Sequence, residues 1–382
     1  MPLAAPPVAL YVHIPFCVSL CPYCDFVVYA GAAARGPRNR VAALTDALVT
    51  ELRMRADALD ARWPKNRPPL ETLYLGGGTP SLLPADSIAG LIASVRERFG
   101  LAAGAEVTIE ANPGPDERGD ASALARAGVT RTSFGAQSLD QGELRRLGRR
   151  HRPGDVADAV AAARAGGIAS VNVDLLYDVP GSSTATWAAT LEETLRLAPD
   201  HLSLYALTLD DPDAEGLTGP TGDHLPTTNG ARRWRATARA DQDDDRAAAQ
   251  YTHATERLAA DGWHGYEISN WSRPGHESRH NLVYWTRRPY EAVGPGAHAF
   301  DGRVRRWNAA RLDGYVAALA PPTGRAPHLP PGGNETLEAT TAAAEAIVLG
   351  LRTDLGVAAS FADAATGSPF VAALAWGAAN GL

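Results

Sequence analysis

The chain has 382 residues, 45% of them hydrophobic, which is enough to bury a substantial core in one large domain or two medium ones. Its 36 basic and 43 acidic residues leave a net charge of -7, so there is no overall electrostatic footprint for a nucleic acid backbone and no nucleic acid partner is expected. The opening MPLAAPPVALYVHIPFC has no basic leader region, and no run approaches the roughly 20 apolar residues of a membrane span, so the expectation is a cytoplasmic protein with no transmembrane segment.

From the N-terminus to about residue 210, short β-prone runs alternate with longer helical patterns, the signature of βα units around a parallel sheet. The strands are expected at residues 8–14, 70–75, 106–111, 131–137, 168–177 and 201–207. Helices are expected at residues 40–61, 84–99, 155–165 and 185–197, where apolar residues return every three or four positions. Six such units are too few for a closed eight-stranded barrel and predict an α/β fold built on an open, partial (β/α)6 barrel with its helices outside. Chemistry in such folds gathers where the strands end.

Residues 211–240, beginning DPDAEGLTGPTGDHLPTTNG, read as a loop or linker that closes a first domain at residues 1–210. The acidic run DQDDD at 241–245 reads as a solvated helix start, favoured by the helix dipole, and leads into a helix that ends near GWHGYE. GYEISNWSRPGHESRHNLVYW reads as irregular, and residues 335–350 as an Ala-rich helix. Residues 241–382 are thus expected to form a smaller C-terminal α+β domain.

All three cysteines lie in HIPFCVSLCPYCDF, directly after the first strand, as Cys17, Cys21 and Cys24 in the spacing C-x3-C-x2-C. An odd, clustered set in a reducing compartment points to metal or redox work rather than disulfides. Three readings stay open on the residues alone. They are a zinc site completed by His13, unliganded thiols, or a 4Fe-4S cluster that three cysteines would leave with one open iron.

The later strand ends carry further candidates. GGGTPSLLP follows strand two, where glycines make a tight turn or let backbone approach a ligand. Glu110 in EANPG suits a turn or a ligand, Gln137 in FGAQS a lid or a contact, and Arg149 in LGRRH a solvated surface or a site. Asp174 in VNVDLLYDVPG is flanked by apolar residues, and a carboxylate buried there needs a partner because an unpaired buried charge is expensive.

With the cysteine spacing, these segments resemble the radical S-adenosylmethionine (SAM) superfamily. The resemblance implies a 4Fe-4S cluster on Cys17, Cys21 and Cys24, with the amino and carboxylate groups of SAM on the fourth iron. An electron from the reduced cluster then breaks the sulfonium bond to give a 5'-deoxyadenosyl radical, the hard chemistry belonging to the cofactors. By resemblance, Tyr11, Tyr23, Gly77, Gly78, Thr79, Glu110, Gln137, Arg149 and Asp174 would contact SAM.

The order HIPFCxxxCxYCDF, GGGTPS, IEANPG, SFGAQS, NVDLLYDVPG and HLSLYAL is similar to one branch of that superfamily. This branch holds oxygen-independent coproporphyrinogen III dehydrogenases and heme chaperones of the HemW group. Phe26 stands where the dehydrogenases carry a further cysteine, and HNLVYW matches the HNxxYW motif associated with heme binding in the chaperones. The resemblance therefore implies a chaperone that binds heme as cargo, with His280 as a heme ligand beside Tyr284 and Trp285, and delivers it to client hemoproteins. The alternatives are a coproporphyrinogen III dehydrogenase, which decarboxylates propionates oxidatively, and a zinc-stabilised binding module. The group usually continues past GLRTDLGV into a small winged-helix-like module, whereas this chain stops at WGAANGL, so a truncated C-terminal domain is expected.

Overall fold

The computed structural model describes residues 4–31, 40–64, 67–321, 325–358 and 368–379. β1 (Ala9–Ile14) is followed by two short strands, β2 (Phe16–Cys17) and β3 (Tyr29–Ala30), which pair in parallel and frame the cysteine loop. Next come α1 (Val41–Arg62), β4 (Leu70–Gly77), α2 (Ala85–Arg98), β5 (Leu101–Ala111), α3 (Ala121–Ala127) and β6 (Arg131–Gln137). They are followed by α4 (Gln141–Arg146), α5 (Pro153–Ala165), β7 (Ser170–Tyr177), α6 (Thr184–Arg196) and β8 (His201–Ala206). β1, β4, β5, β6, β7 and β8 lie side by side in that order, each parallel to the next. These are the six strands expected for the partial barrel.

Successive side chains on a strand alternate between its faces. On one face, Leu73, Leu75, Val107, Ile109, Val171 and Val173 join a single core with the helices. On α2, Ile88, Leu91, Ile92 and Val95 recur at helical spacing and are fully buried. Burying each is worth roughly 1.5–3 kcal/mol relative to exposure. The other face carries Thr108, Glu110, Ser133, Asn172, Asp174 and Ser203, which line a cavity. Parallel strands covered on both sides normally read as continuous apolar runs. The polar face here marks where that rule yields to a site.

α7 (Asn229–Arg239) lies within the stretch read as a loop. NGARRWRATAR is amphipathic but carries few apolar residues, so the helix depends on its ends and its docking. Thr228 Oγ1 caps it by accepting from the Ala231 N–H at 3.2 Å, and Arg235 and Ala238 are buried. α8 (Asp244–Ala260) begins at the acidic run as expected, with Asp243 Oδ1 accepting from the N–H groups of Asp245 and Arg246 at 3.0 and 3.1 Å.

The remaining elements are β9 (His264–Glu267), β10 (Asn270–Ser272), α9 (Arg279–Trp285), β11 (Tyr290–Val293), β12 (His298–Phe300) and β13 (Val304–Asn308). α10 (Leu312–Leu319), β14 (Gly332–Thr336), α11 (Ala339–Gly350) and α12 (Ser368–Ala379) complete the described chain. β11 pairs in parallel with β1, and β12, β13 and β14 follow it antiparallel. At the opposite edge β10 pairs antiparallel with β8, and β9 with β10. Among the described residues the sheet therefore has twelve strands, and the later half of the chain extends it at both ends. Two further expectations change. The stretch read as irregular holds β9, β10 and α9, and the tail helix starts at Ala339 because Glu335 belongs to β14. Strands of three to five residues carry too little periodicity to be read locally; the open sheet edges define them. No helix among the described residues is long and apolar enough to cross a membrane.

Candidate functional site

Cys17, Cys21 and Cys24 line a cavity of about 580 Å³, together with residues at the carboxyl ends of β4 to β8. The thiols are free and partly buried. Thr79 Oγ1 donates to Cys17 Sγ and Arg149 Nη1 to Cys21 Sγ, both at 3.5 Å. As bare thiols, Cys17 is pushed up to about 11 by burial and Cys24 is raised further. A metal reverses that cost, because it stabilises the thiolate it binds. His13, the fourth ligand in the zinc reading, is fully engaged: Nε2 is 2.9 Å from Val27 O, and Nδ1 is 2.9 Å from Tyr11 Oη. Burial lowers its pKa to about 4, so the neutral ring donates from Nε2 and accepts at Nδ1. Among the described residues no three His, Cys, Asp or Glu side chains form a single-ion site. Three thiols lining one cavity suit a cluster, where each would take its own iron.

The glycine turn lies against this loop. Gly77 has φ +113°, and a Cβ there would stand 2.4 Å from His13 Cε1; a Cβ on Gly78 would stand 2.7 Å from Phe16 O. Both positions exclude a side chain. The Gly77 N–H donates to Glu110 Oε2 and Tyr74 Oη to Glu110 Oε1, each at 2.8 Å. Burial nevertheless pushes Glu110 up to about 7, against these two stabilising bonds. Asp174 is also raised by burial, while Ser133 Oγ donates to Oδ2 at 3.0 Å and Asn172 Nδ2 to Oδ1 at 2.6 Å. Gln137 ends β6 with φ 70°, a left-handed conformation that costs a non-glycine residue on the order of 1–3 kcal/mol and concentrates at functional sites. Arg149 Nη2 donates to Gly135 O at 2.5 Å and to Asn112 Oδ1.

Of the residues expected at the site, Tyr23, Gly77, Gly78, Thr79, Glu110, Gln137, Arg149 and Asp174 line this cavity with the cysteines. Tyr11 does not. It packs on Ala292, Ala297 and Ala299 with its hydroxyl on His13, one layer behind Tyr74. His280, expected as a heme ligand, lines neither cavity. Its ring is 1% exposed, with Nδ1 2.7 Å from Thr72 Oγ1 and Nε2 2.8 Å from Tyr284 Oη. Burial lowers its pKa to about 3. An axial heme ligand needs a free nitrogen at the site, and both of these are committed inside the core. The same motif's Asn281, Tyr284 and Trp285 instead line a second cavity of about 380 Å³, with Tyr205, Tyr290 and Phe300.

Residues 11–194 match the radical SAM superfamily. The heme chaperone HemW of Mycobacterium tuberculosis is 38% identical over 93% of this chain and 84% of its own length. The chain belongs to the HemW family of radical SAM proteins. HemW of Escherichia coli is 36% identical over 80% of this chain and 74% of its own. A mouse mitochondrial relative, radical S-adenosyl methionine domain-containing protein 1, is 34% identical over 91% and 74%. Among solved structures, the coproporphyrinogen III oxidase HemN of Escherichia coli superposes with a TM-score of 0.73 at 23% identity, covering 91% of this chain and 76% of that one, which shows the shared fold.

A radical SAM family implies a 4Fe-4S cluster and SAM, and the residues of this HemW-family chain fit both. The cavity lies within the range of about 300–1,000 Å³ usual for small-molecule sites. Arg149 Nε, Arg131 Nη2 and Thr108 Oγ1 are buried polar atoms without a partner, and all three residues line it. Such atoms are costly unless a polar ligand or water completes them. Reading motif by motif misses Arg131, Ser133, Asn172, His201 and Tyr205 on the same inner face, and Arg235 on α7. The signal for most of them was alternation: Ser133 and Gly135 share the inner face with Gln137, and Asn172 with Asp174.

Proposed function

We propose that the chain is a cytoplasmic heme chaperone, which holds a 4Fe-4S cluster on Cys17, Cys21 and Cys24, binds SAM beside it, and passes heme to client hemoproteins. The observation that carries this reading is the 38% identity to a protein named heme chaperone, over 93% of this chain. When bound, the cluster supplies one-electron chemistry at low potential. Glu110 and Asp174 would accept hydrogen bonds from the donor groups of SAM, Arg149 would meet its negative charge, and Gly77 and Gly78 would let main chain come close. The second cavity is assigned to the cargo, since five aromatic rings, Tyr205, Tyr284, Trp285, Tyr290 and Phe300, offer flat apolar surface to a porphyrin. Tyr205 and Asn281 line both cavities, so cargo and SAM would be neighbours.

The test uses the reconstituted chain under anaerobic conditions. Heme titration should give a saturable Soret shift, lost largely in Trp285→Ala, and the loaded chain should transfer heme to an apo-hemoprotein. Incubation with coproporphyrinogen III, SAM and a reductant should leave the propionates intact. Vinyl product in that incubation, or no heme transfer, would overturn the chaperone reading.

A further inference from the structure

We infer that Arg235 is a positioning residue for the cluster, which clamps the main chain of the cysteine loop and supplies a buried positive charge beside it. The inference rests on the reading of the three cysteines as cluster ligands. Arg235 sits on α7, 4% exposed, and its guanidinium reaches across to the turn between the second and third thiols. Nε donates to Pro22 O at 3.2 Å, and Nη2 to Tyr23 O at 3.3 Å and Cys24 O at 2.9 Å. Nη1 donates to Asp210 O, which ties the same fork to the segment after β8. The turn is closed by the Cys24 N–H donating to Cys21 O at 3.1 Å. One planar fork thus holds three successive carbonyls, an arrangement that the single ammonium of lysine cannot reproduce.

The neighbouring Trp234 fixes the helix to the same place. Its Nε1 donates to Arg146 O at 3.0 Å, and its ring centroid lies 6.3 Å from that of Tyr23. α7 is therefore a strut against the loop.

Charge makes the second half of the argument. Every hydrogen-bond acceptor of Arg235 among the described residues is a main-chain carbonyl, and no carboxylate forms an ion pair with it. A buried cation without an anionic partner is expensive. Three thiolates on an iron-sulfur cluster form a negatively charged group, and one of their residues is Cys24, whose carbonyl Arg235 binds. On this reading the counter-charge is the cluster that Cys24 would help to hold. A positive charge held against the loop that carries the cluster would favour the reduced state, which carries one electron more.

The experiment compares the wild-type chain with R235M and R235K, each reconstituted anaerobically with iron and sulfide. R235M should lose iron to a chelator faster, by on the order of 10-fold. Its cluster should be about tenfold harder to reduce, a shift of about 59 mV to more negative potential for one electron. R235K keeps the charge and is expected to recover most of the potential but little of the retention. Wild-type potential together with wild-type iron loss in R235M would overturn the inference. Should R235M fail to fold, wild-type iron loss in R235K overturns it equally. A wild-type chain that takes up no iron and sulfide sinks the cluster reading and this inference together, whereas a loaded wild type with indifferent variants sinks this inference alone.

Discussion

The larger cavity and the smaller one are both marked by short motifs, but the motifs are oriented by different means. Around the larger cavity, Gly77, Glu110, Gln137 and Asp174 sit at or near the ends of parallel strands, and all of them line it. Around the smaller cavity the motif lies on α9, where Asn281, Tyr284 and Trp285 line the space and His280 is turned into the core. Strand periodicity and the barrel's handedness decide which way a strand-end residue faces. A seven-residue helix can dock on any side, so its motif identifies the region without identifying the ligand. A histidine in a heme-associated motif can therefore be a structural residue.

The comparison breaks or sharpens most strongly at the thiols. Replacing Cys17, Cys21 and Cys24 together with Ala should abolish iron and sulfide binding and the brown anaerobic chromophore, with retained iron and sulfide as the contrary result. At the other cavity, His280→Ala should act on stability rather than ligation. It leaves Thr72 and Tyr284 without their shared partner and opens a void, a loss of roughly 3 kcal/mol, seen as a lower denaturant midpoint. The Soret spectrum and heme affinity of the folded variant should stay as in the wild type. A lost axial-ligand band in a stable H280A chain would return the histidine to the cargo site and erase the contrast.

Glu110 provides a pH test on the larger cavity. Its folded pKa of about 7 lies above the ordinary value of 4.5, so between those two pH values the folded apo chain holds more protons than the unfolded one. Stability from this group is therefore greatest below pH 4.5 and falls as pH rises to about 7, by on the order of 3 kcal/mol. Glu110→Gln should flatten that slope, and denaturation midpoints between pH 5 and 8 will show whether it does. The smallest effect belongs to Phe26, which is 64% exposed beside the third cysteine. Phe26→Ala should move stability by less than about 0.5 kcal/mol. A larger loss would mean that this ring packs into the loop, and that the residue distinguishing the two branches also has a structural role.

Much of the barrel was legible because its signals are local. Alternating β runs and helical periods located the six parallel strands, and the cysteine spacing located the loop before any fold was known. The inner polar face was only half legible. Asp174 stood out among apolar neighbours, but Asn172 and Ser133 could be any hydroxyl or amide until the register places them on Asp174. α7 was missed because its few apolar residues follow a Pro- and Gly-rich stretch, and much of its anchoring comes from what Trp234 and Arg235 touch. The C-terminal strands were missed for the same reason, being short segments defined by the sheet edges they meet.

By itself the sequence determined that three thiols share one loop, that glycines and carboxylates follow successive strands, and that the strands alternate with helices. These are properties of spacing and period, carried by neighbours in the chain. Only the tertiary structure decided that His280 spends both nitrogens on Thr72 and Tyr284, that Tyr11 stands behind the site, and that Arg235 reaches the cysteine turn from more than two hundred residues away. Those outcomes depend on hydrogen bonds between distant elements, whose geometry exists only once the sheet and helices have packed.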